Sequence, residues 1–368
     1  MYRSTSTQLQ SIVTSPAALQ ELTAHLESCA RISLDTEFLR ERTYRAELCL
    51  IQVATPAAAT CIDPLSLPDL QPLARVLSSP HITKVMHASR QDVEVLLPIA
   101  AEVRPLFDTQ VAAALAGLPA QIGYAELVRR LLARELPKAH TRTDWSRRPL
   151  SAEQIEYALD DVRYLLALQE ALENQLERSG RLQWLQEDLR VLEIEHASVI
   201  PPEDAWLRVR GLQRLDPARE RLARELAAWR ERRAIERNRP RGWILDDAVL
   251  REIVMQVPRS VDALAAIPEL PAALVRHCGA ELIECVRRAE VPDPAPPINT
   301  RARPDPSRAA LVRKLGALNQ TVAAQLGMSP EVLATRRDLE QLAAGRRDLG
   351  VLRGWRREAV GQQLLAAL

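Results

Sequence analysis

The stretch Arg31-Ile-Ser-Leu-Asp-Thr-Glu-Phe-Leu39 decides the fold class, because it reads as a β-strand with two acids where core residues would stand. Side chains alternate between the two faces of a strand, so Asp35 and Glu37 project together and Thr36 points away. Two carboxylates on one face repel each other unless a cation lies between them, and hard divalent cations prefer oxygen ligands. The pair therefore indicates a metal site, with a solvated strand edge as the alternative for this stretch alone.

Strands and helices alternate after this stretch. The pattern predicts further strands at 46–54, 58–62 and 82–87, and helices at 70–77 and 90–97. From about residue 110 onward the chain has an almost entirely helical pattern. A hairpin-rich start followed by such alternation predicts an α/β domain, a mixed sheet flanked by helices, with all-α modules after it.

Two later segments carry acids that could join the first pair. Asp92 falls in the first turn of the helix after strand 82–87, a place where α/β sites gather, although an acid there also suits the helix dipole. Tyr157 and Asp161 are four residues apart and share a helix face, with Asp160 as a competing candidate. Three or four carboxylates can hold two Mg²⁺ about 4 Å apart for phosphodiester hydrolysis, and a phenol can orient the attacking water.

Composition limits the class of protein. The 368 residues suffice for two or three domains, and the 47% apolar content is that of a folded chain. Neither a membrane-spanning apolar run nor a signal peptide is expected. The five scattered cysteines fit buried thiols in a reducing cytoplasm. Residues 1–200 hold 20 basic against 26 acidic side chains and the remainder is mildly basic, which fits either a phosphate-gripping C-terminal part or simple solvation.

Five motifs, taken together, resemble the ribonuclease D family, the tyrosine-bearing branch of the DEDD 3′→5′ exonucleases. They are Asp35-Thr-Glu37 with the run that follows it to Gln52, His87-Ala-Ser-Arg-Gln-Asp92, Phe107-Asp-Thr-Gln110, Arg142-Thr-Asp-Trp145-Ser-Arg-Arg-Pro-Leu150 and Tyr157-x-x-x-Asp161. The motifs occur in the family's order and spacing over residues 1 to about 200. The resemblance implies a ribonuclease H-like mixed sheet flanked by helices.

The same resemblance implies the roles of the acids. Asp35, Glu37, Asp92 and Asp161 become the catalytic, metal-binding carboxylates, and Tyr157 becomes the catalytic residue that orients the water. Two divalent metal ions, Mg²⁺ or Mn²⁺, are the implied cofactors. The family's last motif is Y-x-x-x-D, which places Asp161 ahead of its neighbour.

A domain layout also follows from the resemblance. It implies an exonuclease domain at 1–200 and an HRDC module (helicase and ribonuclease D C-terminal), a helical bundle that binds nucleic acid, at 203–290. A proline-rich linker is expected at 291–306 and a second HRDC-like helical domain, by position only, at 307–368. A chain ending near residue 200 is then expected to keep hydrolysing short RNA.

The resemblance implies that RNA is the partner. Family members shorten RNA from the 3′ end and release 5′-mononucleotides, with tRNA precursors and other small structured RNAs as substrates; a cytoplasmic monomer without membrane contact is expected. Two alternative functions remain at this point: a DNA 3′→5′ exonuclease and a non-catalytic RNA-binding protein. The first is possible because the same carboxylate chemistry cleaves both nucleic acids. The presence of all four carboxylates and the tyrosine argues against the second alternative.

Four residues are candidates for substrate contact: Phe38, His87, Arg142 and Trp145. Phe38 could wedge against a terminal base or lie in the core. Trp145 could stack on a base, or cap the core while Asp144 pairs with a neighbouring arginine. For His87 a structural role competes with substrate contact.

The helical part has one arginine-rich segment, at a predicted helix end and its loop. These arginines could contact RNA phosphates or complement the helix dipole. They are Arg232, Arg233, Arg237, Arg239 and Arg241. Trp206, Trp229 and Trp243 fall at apolar spacings and are expected in the core.

Overall fold

The computed structural model describes residues 11–137, 143–196, 201–212, 215–291 and 306–368. The strands in these ranges are β1 (Ile12–Val13), β2 (Arg31–Leu39), β3 (Glu47–Ala54), β4 (Ala59–Ile62), β5 (Thr83–Met86) and β6 (Leu106–Asp108). The first helices are α1 (Pro16–Glu27), α2 (Gln71–Ser78), α3 (Arg90–Leu96), α4 (Thr109–Leu115), α5 (Tyr124–Leu132), α6 (Ala152–Arg163), α7 (Leu165–Arg178) and α8 (Leu182–His196).

The C-terminal half is helical throughout the described ranges, as the sequence predicts. A 3₁₀ helix, Pro202–Arg208, precedes α9 (Pro217–Arg237), α10 (Arg241–Ile244), α11 (Asp247–Gln256), α12 (Val261–Ala265) and α13 (Ala272–Glu290). After these come α14 (Pro306–Leu326), α15 (Pro330–Leu333), α16 (Arg336–Ala343), α17 (Gly354–Arg356) and α18 (Gln362–Ala366). A 3₁₀ turn at Gly350–Leu352 and a π-helical turn at Arg357–Gly361 flank α17.

The strands form one mixed sheet, which confirms the predicted α/β architecture. Their order is β1-β4-β3-β2-β5-β6. Strand β1 is parallel to β4, and β2, β5 and β6 run parallel to one another, while β3 is antiparallel to β4. Because Ser33 pairs with Val85 and Val85 pairs with Phe107, the carboxyl ends of β2, β5 and β6 meet at one edge of the sheet.

Each face of the sheet is covered by helices. On one face Ile32 and Leu34 of β2 pack in a core with Leu22 of α1 and Leu73 of α2. On the other face the helices α6 and α7 lie over β2, and α7 also packs on β5. The Ser33 hydroxyl donates a 2.9 Å hydrogen bond to the Val162 carbonyl of α6, so this face of β2 looks toward α6.

The described residues fall into two compact units. The first is drawn from Met1–Leu39, Leu48–Ser198 and Pro304–Leu368, and the second from Arg40–Glu47 and Val199–Arg303. The sheet belongs to the first unit. The second contains α9 to α13 and the short segment that follows β2 in the sequence.

The C-terminal helices belong to the first unit. Leu315 of α14, Trp355 of α17 and Leu364 of α18 lie in one buried cluster with Leu168 and Leu172 of α7. Asp188 of α8 accepts hydrogen bonds from the Trp355 indole and the Arg356 guanidinium. The expected separate domain at 307–368 is therefore not a compact unit of its own, because its apolar side chains complete the core of α7 and α8. Of the expected linker at 291–306, residues 292–305 lie outside the described ranges.

In the second unit a core of apolar side chains joins the 3₁₀ helix to α9, α11 and α13. Trp206 and Trp229 lie in this core, as expected from the sequence. Trp243 does not: 61% of it is exposed, so the prediction for this residue is wrong. Within the same unit the Tyr44 hydroxyl donates a 2.5 Å hydrogen bond to Glu231 of α9. No helix in the described ranges is both long and apolar enough to cross a membrane.

Candidate active site

The first two acids lie on the face of β2 that looks toward α6. Ser33, Asp35 and Glu37 alternate along the strand, and the Ser33 bond to α6 fixes which face they share. Both carboxylates are partly covered by the protein. The strand therefore presents two acids to the space between the sheet and α6.

Asp92 approaches from the next parallel strand. It lies in the first turn of α3, directly after β5, and is 7% exposed. The Thr36 hydroxyl donates a 2.6 Å hydrogen bond to Oδ1 of Asp92, and the charge of Asp92 raises the pKa of Asp35. Thr36 thus fixes Asp92 from the opposite face of β2. We did not single out this threonine from the sequence; the signal available was a β-branched hydroxyl residue between two acids.

Helix α6 carries Tyr157 and Asp161. The helix begins with a capping box, in which the Ser151 hydroxyl accepts from Gln154 N and the Gln154 side chain accepts from Ser151 N. Asp161 interacts electrostatically with Asp35 and Glu37, whereas Asp160 forms an ion pair with Arg163 at 2.6 Å. Asp161 thus acts on the other acids, whereas Asp160 is held by an arginine.

Mutual repulsion and burial set the electrostatics of these acids. Burial and then Asp92, Asp161 and Glu37 raise the pKa of Asp35 well above its ordinary value. Burial and the neighbouring acids raise the pKa of Glu37 to about 8, and burial and then Asp160 raise the pKa of Asp161 to about 7. A cluster of this kind is short of positive charge.

The donor set fits divalent metal ions. All four side chains offer carboxylate oxygens, the ligands that Mg²⁺ and Mn²⁺ take in proteins. In the described ranges no group of three or more histidine, cysteine, aspartate and glutamate side chains is arranged so that it could hold a metal ion. The acids thus raise one another's pKa values without standing as a ready set of metal ligands, and bound cations would relieve that repulsion.

Tyr157 projects from α6 beside the acids. Burial and then Asp161, Glu37 and Asp35 raise its pKa to about 12. The phenol therefore keeps its proton at neutral pH. It can donate a hydrogen bond to a water molecule or accept one from it, but it is not suited to act as an ionised base.

The remaining sequence candidates are placed differently. His87 Nδ1 lies 2.8 Å from the Thr109 hydroxyl and Nε2 lies 3.0 Å from the Ile122 carbonyl, and burial lowers its pKa. The Nε2 atom faces a carbonyl and so donates, while the Thr109 hydroxyl, which donates to the Met86 carbonyl at 3.1 Å, lies beside Nδ1. Both ring nitrogens thus have protein partners, which fits the structural role. Phe38 is half-buried at the end of β2. Arg142 lies outside the described ranges.

Trp145 is covered by the protein, which favours one of its two alternative roles. It is 6% exposed, and its ring stacks on Tyr157 with the centroids 6.2 Å apart and the planes at 27°. Asp144 pairs with Arg147 at 3.1 Å. Both contacts belong to the alternative interpretation, in which the tryptophan caps the core, because a base cannot stack on a ring that the protein covers.

Tyr124 is a further residue beside the acids that we did not single out from the sequence. Its hydroxyl donates a 2.9 Å hydrogen bond to the Asp160 carbonyl, and its ring centroid lies 5.8 Å from that of His87. Burial raises its pKa, and Asp161 and Asp35 raise it further. A lone tyrosine at the start of a helix gives no sequence signal that places it here.

Comparison with known proteins defines the class. Residues 10–177 match the profile of the 3′–5′ exonuclease family, and residues 219–286 match the HRDC domain. The ribonuclease D of Nitrobacter hamburgensis is 37% identical over 360 residues, covering 96% of this chain and 94% of that protein. That of Gluconacetobacter diazotrophicus is 40% identical over 356 residues, covering 94% and 90%.

A solved structure agrees over the same length. The crystal structure of Escherichia coli RNase D, described as an exoribonuclease involved in structured RNA processing, superimposes with a TM-score of 0.88 at 32% identity and covers 97% of this chain and 98% of that one. The fold and the site thus define a 3′→5′ exonuclease that depends on divalent metal and acts on nucleic acid. The chain belongs to the ribonuclease D family and is a 3′→5′ exoribonuclease.

Proposed function

We propose that the chain holds two divalent metal ions, Mg²⁺ or Mn²⁺, on Asp35, Glu37, Asp92 and Asp161. When bound, such ions supply an activated water and stabilise the charge that develops on the leaving oxygen. The observation that carries this proposal is the convergence of the acids from β2, α3 and α6, with pKa values raised by burial and by one another. In this arrangement the protein's task is to hold the ligands in place.

The other residues around the cluster have positioning tasks. Thr36 keeps one oxygen of Asp92 occupied, which fixes the rotation of that carboxylate. Tyr157, protonated at neutral pH, orients the attacking water by a hydrogen bond. The products are 5′-mononucleotides, released one at a time from the 3′ end.

A time course tests the function as a whole. The substrate is an RNA of defined sequence with a free 3′ end, incubated with Mg²⁺ or with EDTA, beside a DNA of the same sequence. Stepwise shortening of the RNA that EDTA stops is expected, with slower attack on DNA because an RNA enzyme senses the 2′-hydroxyl. Equal shortening of DNA and RNA would contradict the RNA preference, and RNA binding without shortening would contradict catalysis.

Replacing Tyr157 by phenylalanine tests the water-orienting role. Removal of the hydroxyl is expected to lower kcat by about 10²- to 10⁴-fold, the usual contribution of a group that positions or transfers a proton in the transition state. KM should change little, because the ring and its contact with Trp145 remain. The measurement is single-nucleotide release at saturating RNA, and an unchanged kcat would remove Tyr157 from the reaction.

We also propose that the second unit holds structured RNA, with tRNA precursors and other small structured RNAs as substrates of a monomer in the cytoplasm. The arginine-rich segment supports this role only in part. Arg232, Arg233 and Arg241 are ion-paired with Glu203, Glu281 and Glu231, respectively. These three arginines are therefore less available to phosphates than the sequence suggests.

The exposed Trp243 supports RNA binding better. Its indole lies on α10, and the Arg239 guanidinium lies 5.8 Å from the ring centroid. An exposed aromatic ring beside an arginine offers a stacking surface and a positive charge to an unpaired base and its phosphate. The largest exposed aromatic surface of this unit thus lies beside a cation.

Replacing Trp243 by alanine is expected to weaken RNA binding by about 1–3 kcal/mol, the usual loss for one base–aromatic stack. The measurement is the dissociation constant of a tRNA-like RNA with an unpaired 3′ tail, in EDTA so that no cleavage occurs. Met255, 50% exposed in the same unit, provides the control, because Met255→Ala removes an exposed apolar side chain that has no aromatic face. Equal losses in the two variants would contradict a stacking role.

A further inference from the structure

Arg148, in the segment before α6, makes a dense set of hydrogen bonds. Its Nε and Nη2 donate to the two oxygens of Asp63, each at 2.7 Å, in a bidentate pair. Asp63 is 1% exposed and also accepts from the Ser66 hydroxyl at 2.7 Å and from Leu65 N at 3.0 Å. Such planar pairs fix orientation as well as charge.

The other hydrogen bonds of Arg148 reach the backbone on two sides. Nη2 donates to the Cys49 carbonyl of β3 at 2.7 Å, and Nη1 donates to the Trp145 carbonyl at 2.7 Å. One guanidinium therefore ties the segment before α6 to β3 and to the residue that follows β4. The position of Trp145 is set by this connection.

Trp145 in turn contacts Tyr157. Its buried ring lies in a small apolar cluster with Cys49, Cys61 and Ala158, and it stacks on the phenol ring. One face of Tyr157 is therefore covered by a side chain whose own backbone Arg148 holds. A rigid ring on that face limits how far the hydroxyl can move beside Asp161.

We propose that Arg148 and Asp63 are positioning residues for Tyr157, acting through the indole of Trp145. The proposal rests on the proposed function of Tyr157 as the residue that orients the attacking water. It assigns a task to the arginine and to an aspartate 85 positions away in the sequence. Neither side chain needs to touch RNA or metal for this task.

A purely stabilising ion pair is the competing explanation, and the first unit contains a suitable comparison. Arg356 forms a bidentate pair with Asp188, and its guanidinium lies over the ring of the neighbouring Trp355. The arginine side chains are similarly covered, 24% exposed for Arg148 and 27% for Arg356. Arg356→Gln therefore controls for the loss of such a pair elsewhere in the same unit.

The experiment is a double-mutant cycle on kcat in the full-length protein with Mg²⁺. Arg148→Gln is expected to lower kcat by about 10- to 100-fold with KM within about twofold, because misplacing a reacting geometry by about 1 Å costs roughly 10²-fold. In the Tyr157→Phe background the same change should alter kcat by no more than about twofold, since coupled residues are not additive. Arg356→Gln should leave kcat per folded molecule unchanged.

Arg148→Lys guards against a variant that does not fold. Lysine keeps the charge but cannot form the bidentate fork, so a lowered kcat at an unchanged melting temperature supports positioning. Equal kcat losses from Arg148→Gln in both backgrounds, or a wild-type kcat in both Arg148 variants, would overturn the inference. If Tyr157→Phe alone has a wild-type kcat, the proposed role of the tyrosine fails and the inference with it. Loss in Tyr157→Phe without loss in the Arg148 variants overturns the inference alone.

Discussion

Asp35→Asn is expected to lower kcat for RNA 3′-end shortening by more than about 100-fold. Mutating a residue that only hydrogen-bonds a metal ligand already lowers metal affinity or activity by about 10- to 100-fold, and Asp35 is itself a proposed ligand. The same change should raise the melting temperature of the metal-free protein. Asp35 is held among Asp92, Asp161 and Glu37, and each of these raises its pKa. Asparagine removes one of the repelling charges, so activity and metal-free stability should change in opposite directions.

The pH dependence of stability follows from the same acids. The pKa values of Glu37 and Asp161 are raised to about 8 and about 7, so the folded protein without metal binds protons that the unfolded chain has released. The free energy of unfolding should therefore fall as the pH rises from about 5 to about 8, and Asp35→Asn should reduce that fall. Thermal unfolding in EDTA across this range measures both.

Mg²⁺ and a neighbouring acid provide the controls. Mg²⁺ should raise the melting temperature of the wild type, because it binds the folded state, and should raise that of Asp35→Asn much less. Asp160→Asn, on the same helix but paired with Arg163, should retain activity. A wild-type kcat in Asp35→Asn, or equal stabilisation of both proteins by Mg²⁺, would remove Asp35 from the metal site.

Ending the chain after residue 198 is expected to unfold the first unit. From the sequence, a chain of this length is expected to keep hydrolysing short RNA, whereas the core of the first unit leads to the opposite expectation. Leu315, Val351, Trp355, Val360 and Leu364 lie in the same core as the side chains of α7 and α8. Their removal would expose that core to water.

A single substitution in this core indicates how much stability the truncation removes. Trp355→Ala in the full-length protein should cost about 3–5 kcal/mol, the usual range for a large aromatic side chain in a core. The truncated chain loses several such residues. Their summed contribution exceeds the free energy of unfolding of an ordinary domain, which is about 5–15 kcal/mol. Circular dichroism and thermal unfolding measure both, and a cooperative transition at the wild-type temperature in the truncated chain would contradict the shared core.

The sequence predicts the parts of the site that local rules determine. Strand alternation places Asp35 and Glu37 on one face, and the spacing of four along a helix places Tyr157 and Asp161 together. Both patterns survive folding because they depend on the geometry of a single element. The mixed sheet follows equally from the alternation of strands and helices.

What the sequence does not predict depends on contacts between distant segments. The Arg148–Asp63 pair joins residues 85 apart, and the Thr36–Asp92 bond joins residues 56 apart. The exposure of Trp243 is decided by the packing of α10 against α9, which an apolar spacing does not reveal. The burial of Trp145 likewise depends on tertiary packing. The sequence alone therefore does not tell whether this tryptophan is a core residue or one that stacks on a base.

The shared core of the first unit has a consequence for the order of events during synthesis. Its apolar cluster includes Leu168 and also Leu364, and residues 199–303 of the other unit are synthesised between them. A domain folds as a unit once its parts are available, so the second unit can fold on the ribosome before the first is complete. The nascent chain therefore carries all four acids long before the core that supports them can be completed.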